Sequence, residues 1–397
     1  MRRIYLDHSA TTGVRKEVLD EMLPYFSEVY GNGSSQHSFG RDAMKAIDEA
    51  RRKVAKAINA KPNEIYFTSG GTESDNWAIK GAIYANLERG KHIITSAIEH
   101  PAVMDSIKFL EKELGIEVTY LKVDGEGIIS LEELERAIRP DTVLISVMAA
   151  NNEMGAIEPI EEIGRIARAR GIYFHTDAVQ AIGAVDIDVE KMNIDMLSLS
   201  AHKFYGPKGV GVLYRRNGIR VKKFMNGGEQ ERNQRASTLN TSGIVGLGKA
   251  IELASENIDK NNEYLASLRD SFVEKLISRV DNIRFNGPKD MTKRLANNAN
   301  FSFEFIEGES LLLRLDLDGI AVSSGSACSS AALEASYVLL ATGVPIDIAH
   351  GSIRFSFGLE NTMEDVDYTV DKVEKIVGDL RAMSPLFKRI DGGEFNV

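Results

Sequence analysis

Thr142-Val143-Leu144-Ile145-Ser146-Val147-Met148, a helical pattern over 160–168, and then Ile172-Tyr173-Phe174-His175 form the stretch whose reading decides the fold. Two short apolar runs flank one segment of helical period, which is the pattern of a parallel pair joined by a helical crossover. The same alternation extends outward in both directions. Toward the N-terminus it predicts a helix over 41–60, with Ala43, Ile47, Ala50, Val54 and Ile58 at helical spacing. A strand at 64–68, a helix at 73–88, a strand at 92–96, a helix at 102–114, a strand at 117–121 and a helix at 131–138 follow. Toward the C-terminus come strands at 195–200 and 210–214. The expected fold class is α/β, a mainly parallel sheet sandwiched by helices.

A long helix over 246–279 is expected to bridge to a second unit. Strands at 300–305, 319–322 and 352–356 and helices at 308–317, 331–341 and 363–383 make that unit a smaller α+β domain. The expected division is 13–260 for the large domain, with 1–12 and 261–397 forming the small one.

The 397 residues are 43% hydrophobic, enough for two cores. A formal net charge of −10 argues against a nucleic-acid binder, which carries a basic face. Met1-Arg2-Arg3-Ile4-Tyr5-Leu6-Asp7 lacks the apolar core of a signal peptide, and no apolar run approaches the roughly 20 residues of a membrane span. A cytoplasmic protein is expected. The single cysteine, Cys328, excludes an intramolecular disulfide. It lies in Ser323-Ser324-Gly325-Ser326-Ala327-Cys328-Ser329-Ser330, among small residues that give the thiol little to pack against. Buried structural cysteines have apolar neighbours instead, so a nucleophile and a bystander are both open readings at this point.

Four strand ends carry side chains with chemistry. Phe67-Thr68-Ser69-Gly70-Gly71-Thr72-Glu73-Ser74 is a strand, a glycine pair and a helix start, which offers free N–H groups to an anion. It has neither the lysine of a Walker loop nor dinucleotide spacing. His175-Thr176-Asp177-Ala178-Val179-Gln180 places Asp177 where ligands bind in open α/β sheets. Ser198-Leu199-Ser200-Ala201-His202-Lys203-Phe204-Tyr205-Gly206-Pro207-Lys208-Gly209 delivers a lysine capable of a Schiff base, with Lys208 as its rival. Ala97-Ile98-Glu99-His100-Pro101 puts an imidazole at a fourth end. Each alone is also what an ordinary capped turn looks like. Together they supply a phosphate cradle, a carboxylate for a cationic ring nitrogen, a stacking imidazole and a Schiff-base lysine. Those are the parts that hold pyridoxal 5′-phosphate, PLP.

The chain resembles the cysteine desulfurases, PLP enzymes of the class V aminotransferase group. Besides the segments above, the resemblance rests on Tyr5-Leu6-Asp7-His8-Ser9-Ala10-Thr11-Thr12, Gly31-Asn32-Gly33-Ser34-Ser35-Gln36-His37, Asn151-Asn152-Glu153-Met154-Gly155 and Ser352-Ile353-Arg354-Phe355-Ser356. It implies the fold of type I PLP-dependent transferases and a homodimer. It implies removal of sulfur from L-cysteine, leaving L-alanine and a persulfide on Cys328. It gives Lys203 the cofactor linkage and the α-proton, Asp177 the ring nitrogen, Gln180 the ring oxygen and His100 the stacking face. Gly71, Thr72, Ser200 and His202 would hold the phosphate, with Thr238 reaching the partner subunit's phosphate. Asn152 and Arg354 would receive the substrate carboxylate. The loop around Cys328 resembles the subgroup that passes sulfur to iron–sulfur scaffold proteins. Arg235-Ala236-Ser237-Thr238 departs from the family's Arg-Ser-Gly-Thr, and Gly227-Gly228-Glu229-Gln230-Glu231-Arg232 lacks a histidine often found there. Competing readings are a selenocysteine lyase or related lyase, and a non-catalytic sulfur-relay partner. One cysteine cannot hold a cluster, which takes about four ligands, so no metal is expected.

Overall fold

The N-terminal strand β1 (Ile4–Tyr5) does not join the large sheet; it pairs in parallel with a short strand late in the chain. The computed structural model describes residues 2–324, 335–385 and 387. Its main sheet comprises β2 (Ile65–Thr68), β3 (His92–Ser96), β4 (Glu117–Leu121), β5 (Thr142–Ser146), β6 (Tyr173–Asp177), β7 (Met196–Ser200) and β8 (Gly211–Arg215). Their order across the sheet is β2-β8-β7-β6-β5-β3-β4. β4, β3, β5, β6 and β7 run parallel, while β8 is antiparallel to both its neighbours.

Side-chain alternation explains why these runs are strands rather than helices. Ile93, Tyr66, Met196 and Leu213 point to one face and pack with Trp77, Ile79, Val103 and Ile107. Ile94, Ile65, Phe67, Leu197, Val212 and Tyr214 point to the other, against Ile47, Val54, Ile163, Leu247 and Ile251. Helices therefore cover both faces, and the strands must be apolar on both sides. Helices Gly71–Ala85 and Pro101–Leu114 lie on the first face; Ser38–Ala57, Ile160–Arg170 and Thr241–Glu256 lie on the second.

The remaining strands are β9 (Ile283–Asn286), β10 (Asn298–Phe303), β11 (Ile320–Ala321), β12 (Ser323–Ser324) and β13 (Ser352–Ser356). β12-β13-β10-β9 form an antiparallel sheet, and β11 is the partner of β1. Phe272, Phe301, Phe303, Phe355 and Phe357 fill a separate core together with Ile4, Leu6 and Val370. The Phe272 ring lies 4.7 Å from Phe355 and 5.5 Å from Phe357, centroid to centroid.

Three differences from the sequence reading matter. The expected helix 73–88 begins at Gly71, so both cradle residues belong to its first turn. The single helix expected over 246–279 is two, Thr241–Glu256 and Ile258–Arg279, separated at Asn257 with φ −121° and ψ 17°. The apolar period continues through that residue, which is why the break escaped the pattern. Of the expected helix 331–341, Tyr337–Ala341 is observed, and its first residues lie outside the described part.

Candidate active site

The C-terminal ends of parallel strands leave backbone groups and loop side chains facing one crevice. Here β6 ends on Asp177, β7 on Ser200, and β2 runs through Thr68 into the helix that starts at Gly71. A cavity of about 310 Å³ opens between these ends, and Gly71, Thr72, His100, Asn152, Asp177, Gln180, Ser200, His202, Lys203 and Arg354 all line it.

One end is an anion site. The helix Gly71–Ala85 has no side-chain cap, so its first N–H groups are free to meet an anion. A Cβ on Gly71 would sit 2.6 Å from Val179 Cγ2, so any larger residue would push into the wall. Glu73 ties this turn down by accepting from Ser69 N at 2.8 Å and pairing with Arg235 at 2.8 Å. His202 Nδ1 meets Thr11 Oγ1 at 3.0 Å, and burial, then Lys203 and Lys208, push its pKa down to about 4. Neutral, its second nitrogen remains available to an anion.

The other end is acidic and dry. Asp177 is 6% exposed, and its Oδ1 accepts from Val179 N at 2.9 Å. Burial raises its pKa, while the Val179 N–H and Lys203 pull it back. His100 caps the helix Pro101–Leu114, its Nδ1 accepting from Ala102 N at 3.1 Å, which fixes the ring plane. Burial lowers the His100 pKa, so the ring is neutral near pH 7. Behind it, Glu99 accepts from Ser96 Oγ at 2.6 Å and Met148 N at 2.9 Å, and burial pushes its pKa up to about 8.

Lys203 lies between the two ends. Its ammonium donates to the carbonyls of Ser9 and Ala10, the latter at 2.8 Å. Arg354, on β13, donates to Asn152 O at 2.9 Å and Asp7 Oδ1 at 2.7 Å. Its buried Nε has no acceptor among the described residues. Arg354 lines the cavity, and a guanidinium there suits a carboxylate.

A ligand fitting this donor set is anionic at one end, flat in the middle and cationic where it meets Asp177, with a carbonyl within reach of Lys203. PLP has that form, and the uncapped glycine cradle, the neutral His202 and the buried Asp177 fit it.

The class-V aminotransferase family model matches residues 4–369. The cysteine desulfurase IscS of Clostridium botulinum is 57% identical over 98% of this chain and 97% of its own length. The chain belongs to the cysteine desulfurases of the class-V aminotransferase family. A solved NifS-like protein superposes with a TM-score of 0.89 at 40% identity, covering 95% of this chain and all of that one. SspA, solved in complex with cysteine, superposes with a TM-score of 0.80 at 39% identity, covering 89% and 98%. The fold is therefore that of type I PLP-dependent transferases.

One expected site residue of this desulfurase-family chain is not in the cavity wall. Thr238 is exposed and does not line it within one chain. Cys328 lies outside the described residues. Conversely, Ser9, Ala10, Asp75, Met148, Ala150 and Val179 line the cavity without having been singled out. Asp75 stood in plain view, four residues after Gly71. On a helix that spacing returns to the same face, and this was the available signal. Ser9 and Ala10 gave none, because the crossing of the N-terminal segment to β7, through Thr12 N to His202 O at 2.9 Å, is a long-range contact.

Proposed function

We propose that this protein is a PLP-dependent cysteine desulfurase that converts L-cysteine to L-alanine, holds the sulfur on Cys328 as a persulfide and delivers it to an iron–sulfur assembly scaffold. The observation that carries the reading is that Lys203, Asp177 and Arg354 line one and the same cavity. Bound PLP supplies an electron sink that acidifies the substrate α-carbon.

The chain's own residues do the rest. Gly71, Thr72, Ser200 and His202 fix the phosphate, and Gln180 the ring oxygen. Asp177 holds the ring nitrogen protonated. Arg354 and Asn152 seat the substrate carboxylate, with Arg354 releasing Asp7 in exchange. Lys203, once freed by substrate, moves the proton at Cα. Neutral His100 takes a proton at the substrate sulfur or at the Cys328 thiol. The Cys328 thiolate then attacks the substrate Sγ; the Cβ–Sγ bond breaks with its electron pair going to Cβ. That carbon gains a proton, giving alanine and Cys328–S–SH. Atoms and electrons balance without an external oxidant.

A homodimer in which Thr238 completes the partner subunit's phosphate site belongs to this reading, as does a cytoplasmic setting. Among the described residues no helix is long and apolar enough to cross a membrane.

The test is Cys328→Ala. The variant is expected to bind PLP with the wild-type absorbance band and to form less than about one-hundredth of the wild-type alanine from L-cysteine. Undiminished alanine would exclude Cys328 as the nucleophile and favour a lyase that needs none.

A further inference from the structure

Asp75 is the unassigned titratable group closest to the chemistry. It lies on the helix Gly71–Ala85, is 1% exposed and lines the cavity. An oxygen of Asp75, a ring nitrogen of His100 and an oxygen of Asp177 all lie within 4.8 Å of one another. Asp75 Oδ1 has no hydrogen-bond partner among the described residues and sits 3.6 Å from His175 Nε2. His175 is itself fully buried, with Nδ1 at 2.9 Å from Ser146 Oγ and Nε2 at 3.1 Å from Ser198 Oγ.

Two buried carboxyl groups with oxygens within 4.8 Å oppose each other's ionisation, and the surroundings decide which is the more readily charged. Asp177 accepts from the Val179 N–H and faces the Lys203 amine, both of which favour its charged form. Asp75 faces Asp177, which opposes its ionisation, and Glu99, which opposes it once itself ionised, while Ser198 favours it. His175 offers no positive charge, because burial pushes its pKa down to about 3. The early position of Asp75 in its helix favours the anion modestly, but burial is the largest influence and raises its pKa well above the ordinary range.

We propose that Asp75 is a positioning residue that carries the proton of a two-carboxyl pair with Asp177, leaving Asp177 as the single charge that receives a cationic ring nitrogen. The assignment of Asp177 to the ring nitrogen rests on the function proposed above; the location of the proton does not. The pair matters because a second negative charge would raise the Asp177 pKa and weaken its claim on the ring proton.

Infrared difference spectroscopy on the full chain tests this, with and without carbon-13 in the aspartate carboxyl so that protonated aspartic acid is separated from buried glutamic acid such as Glu99. At pH 7 the wild type is expected to show one buried aspartic-acid carbonyl band. Asp75→Asn removes it. Asp177→Asn retains it but moves its titration midpoint down by about one pH unit or more. A wild type without the band, a band that survives Asp75→Asn, or one lost in Asp177→Asn would overturn the proposal. If Asp75→Asn fails to fold, the Asp177→Asn spectrum decides alone. PLP titration of the same samples keeps the two readings apart. A wild type that shows the band but binds no PLP defeats the cofactor reading and leaves the pair. PLP binding without the band defeats the pair and leaves the function.

Discussion

The cavity has an acidic floor, buried Asp75 and Asp177 with Glu99 behind His100, and a cationic rim, half-buried Lys203 and buried Arg354, held largely by residues 7–10 of the N-terminal segment. The floor limits charge to one of its three acids, Asp177, on the inference above. Burial raises the pKa of all three acids, and the hydrogen bonds they accept only partly offset that. The rim keeps its charges and satisfies them with groups that a ligand can replace: two backbone carbonyls for Lys203, one carboxylate and one carbonyl for Arg354. A buried, neutralised group costs its desolvation penalty permanently. A cation held by exchangeable partners loses little when a ligand carboxylate takes their place. On the proposed function, the difference separates the part of the site that would set the cofactor's electronics from the part that would release and rebind at each turnover.

The largest effect is expected at the rim's central residue. Lys203→Ala should remove covalent retention of PLP. After borohydride reduction, the mass of the wild-type chain should rise by the cofactor and that of the variant should not. Turnover should fall about a thousandfold or more, since both attachment and the α-proton depend on this amine. Borohydride fixation surviving in the variant would point to a different lysine, with Lys208 next in sequence.

Arg354→Lys tests whether rim partners exchange. The guanidinium is bidentate-capable, held by Asp7 and Asn152, with Nε still unused. An ammonium keeps the charge and loses the fork. The KM for L-cysteine should rise about 10- to 100-fold, with kcat changed much less. A fall in kcat with KM unmoved would mean that Arg354 organises the small-domain sheet and does not seat the substrate.

Much of the floor was legible in the sequence because its residues sit at predictable places on regular elements. Asp177 and Ser200 end apolar strands, Gly71 and Thr72 open a helix, and His100 precedes a proline that starts another. Local signals place such residues, and the sheet brings them together. The rim was legible in identity but not in arrangement. Nothing local says that Ser9 and Ala10 receive Lys203, or that Asp7 meets Arg354 across 347 positions. Those contacts follow from β1 adding to β11 in the small core and from residue 12 bonding to residue 202. Asp75 is the intermediate case. Its helical spacing from Gly71 was visible, but its nearness to Asp177 depends on how the helix crosses the sheet.

Glu99→Gln separates floor from rim with the smallest effect, and it is read in stability against pH. In the folded chain the Glu99 carboxyl keeps its proton up to about pH 8, whereas unfolded it loses that proton near the ordinary glutamate value of 4.5. Between these pH values the folded state binds the extra proton, so stability falls as pH rises, by up to about 1.4 kcal/mol per pH unit. Above pH 8 this contribution is flat. Glutamine has no proton to lose, its carbonyl can accept from Ser96 and Met148, and its amide replaces an oxygen that has no partner among the described residues. At pH 4.5 the variant should therefore be no more stable than the wild type. By pH 8 it should have gained on the order of 4 kcal/mol relative to it, read as a crossing or narrowing of the two urea-midpoint curves. Parallel curves across that range would show Glu99 ionised within the fold. The floor would then hold a second buried charge beside Asp177, and the contrast between the two ends would fail.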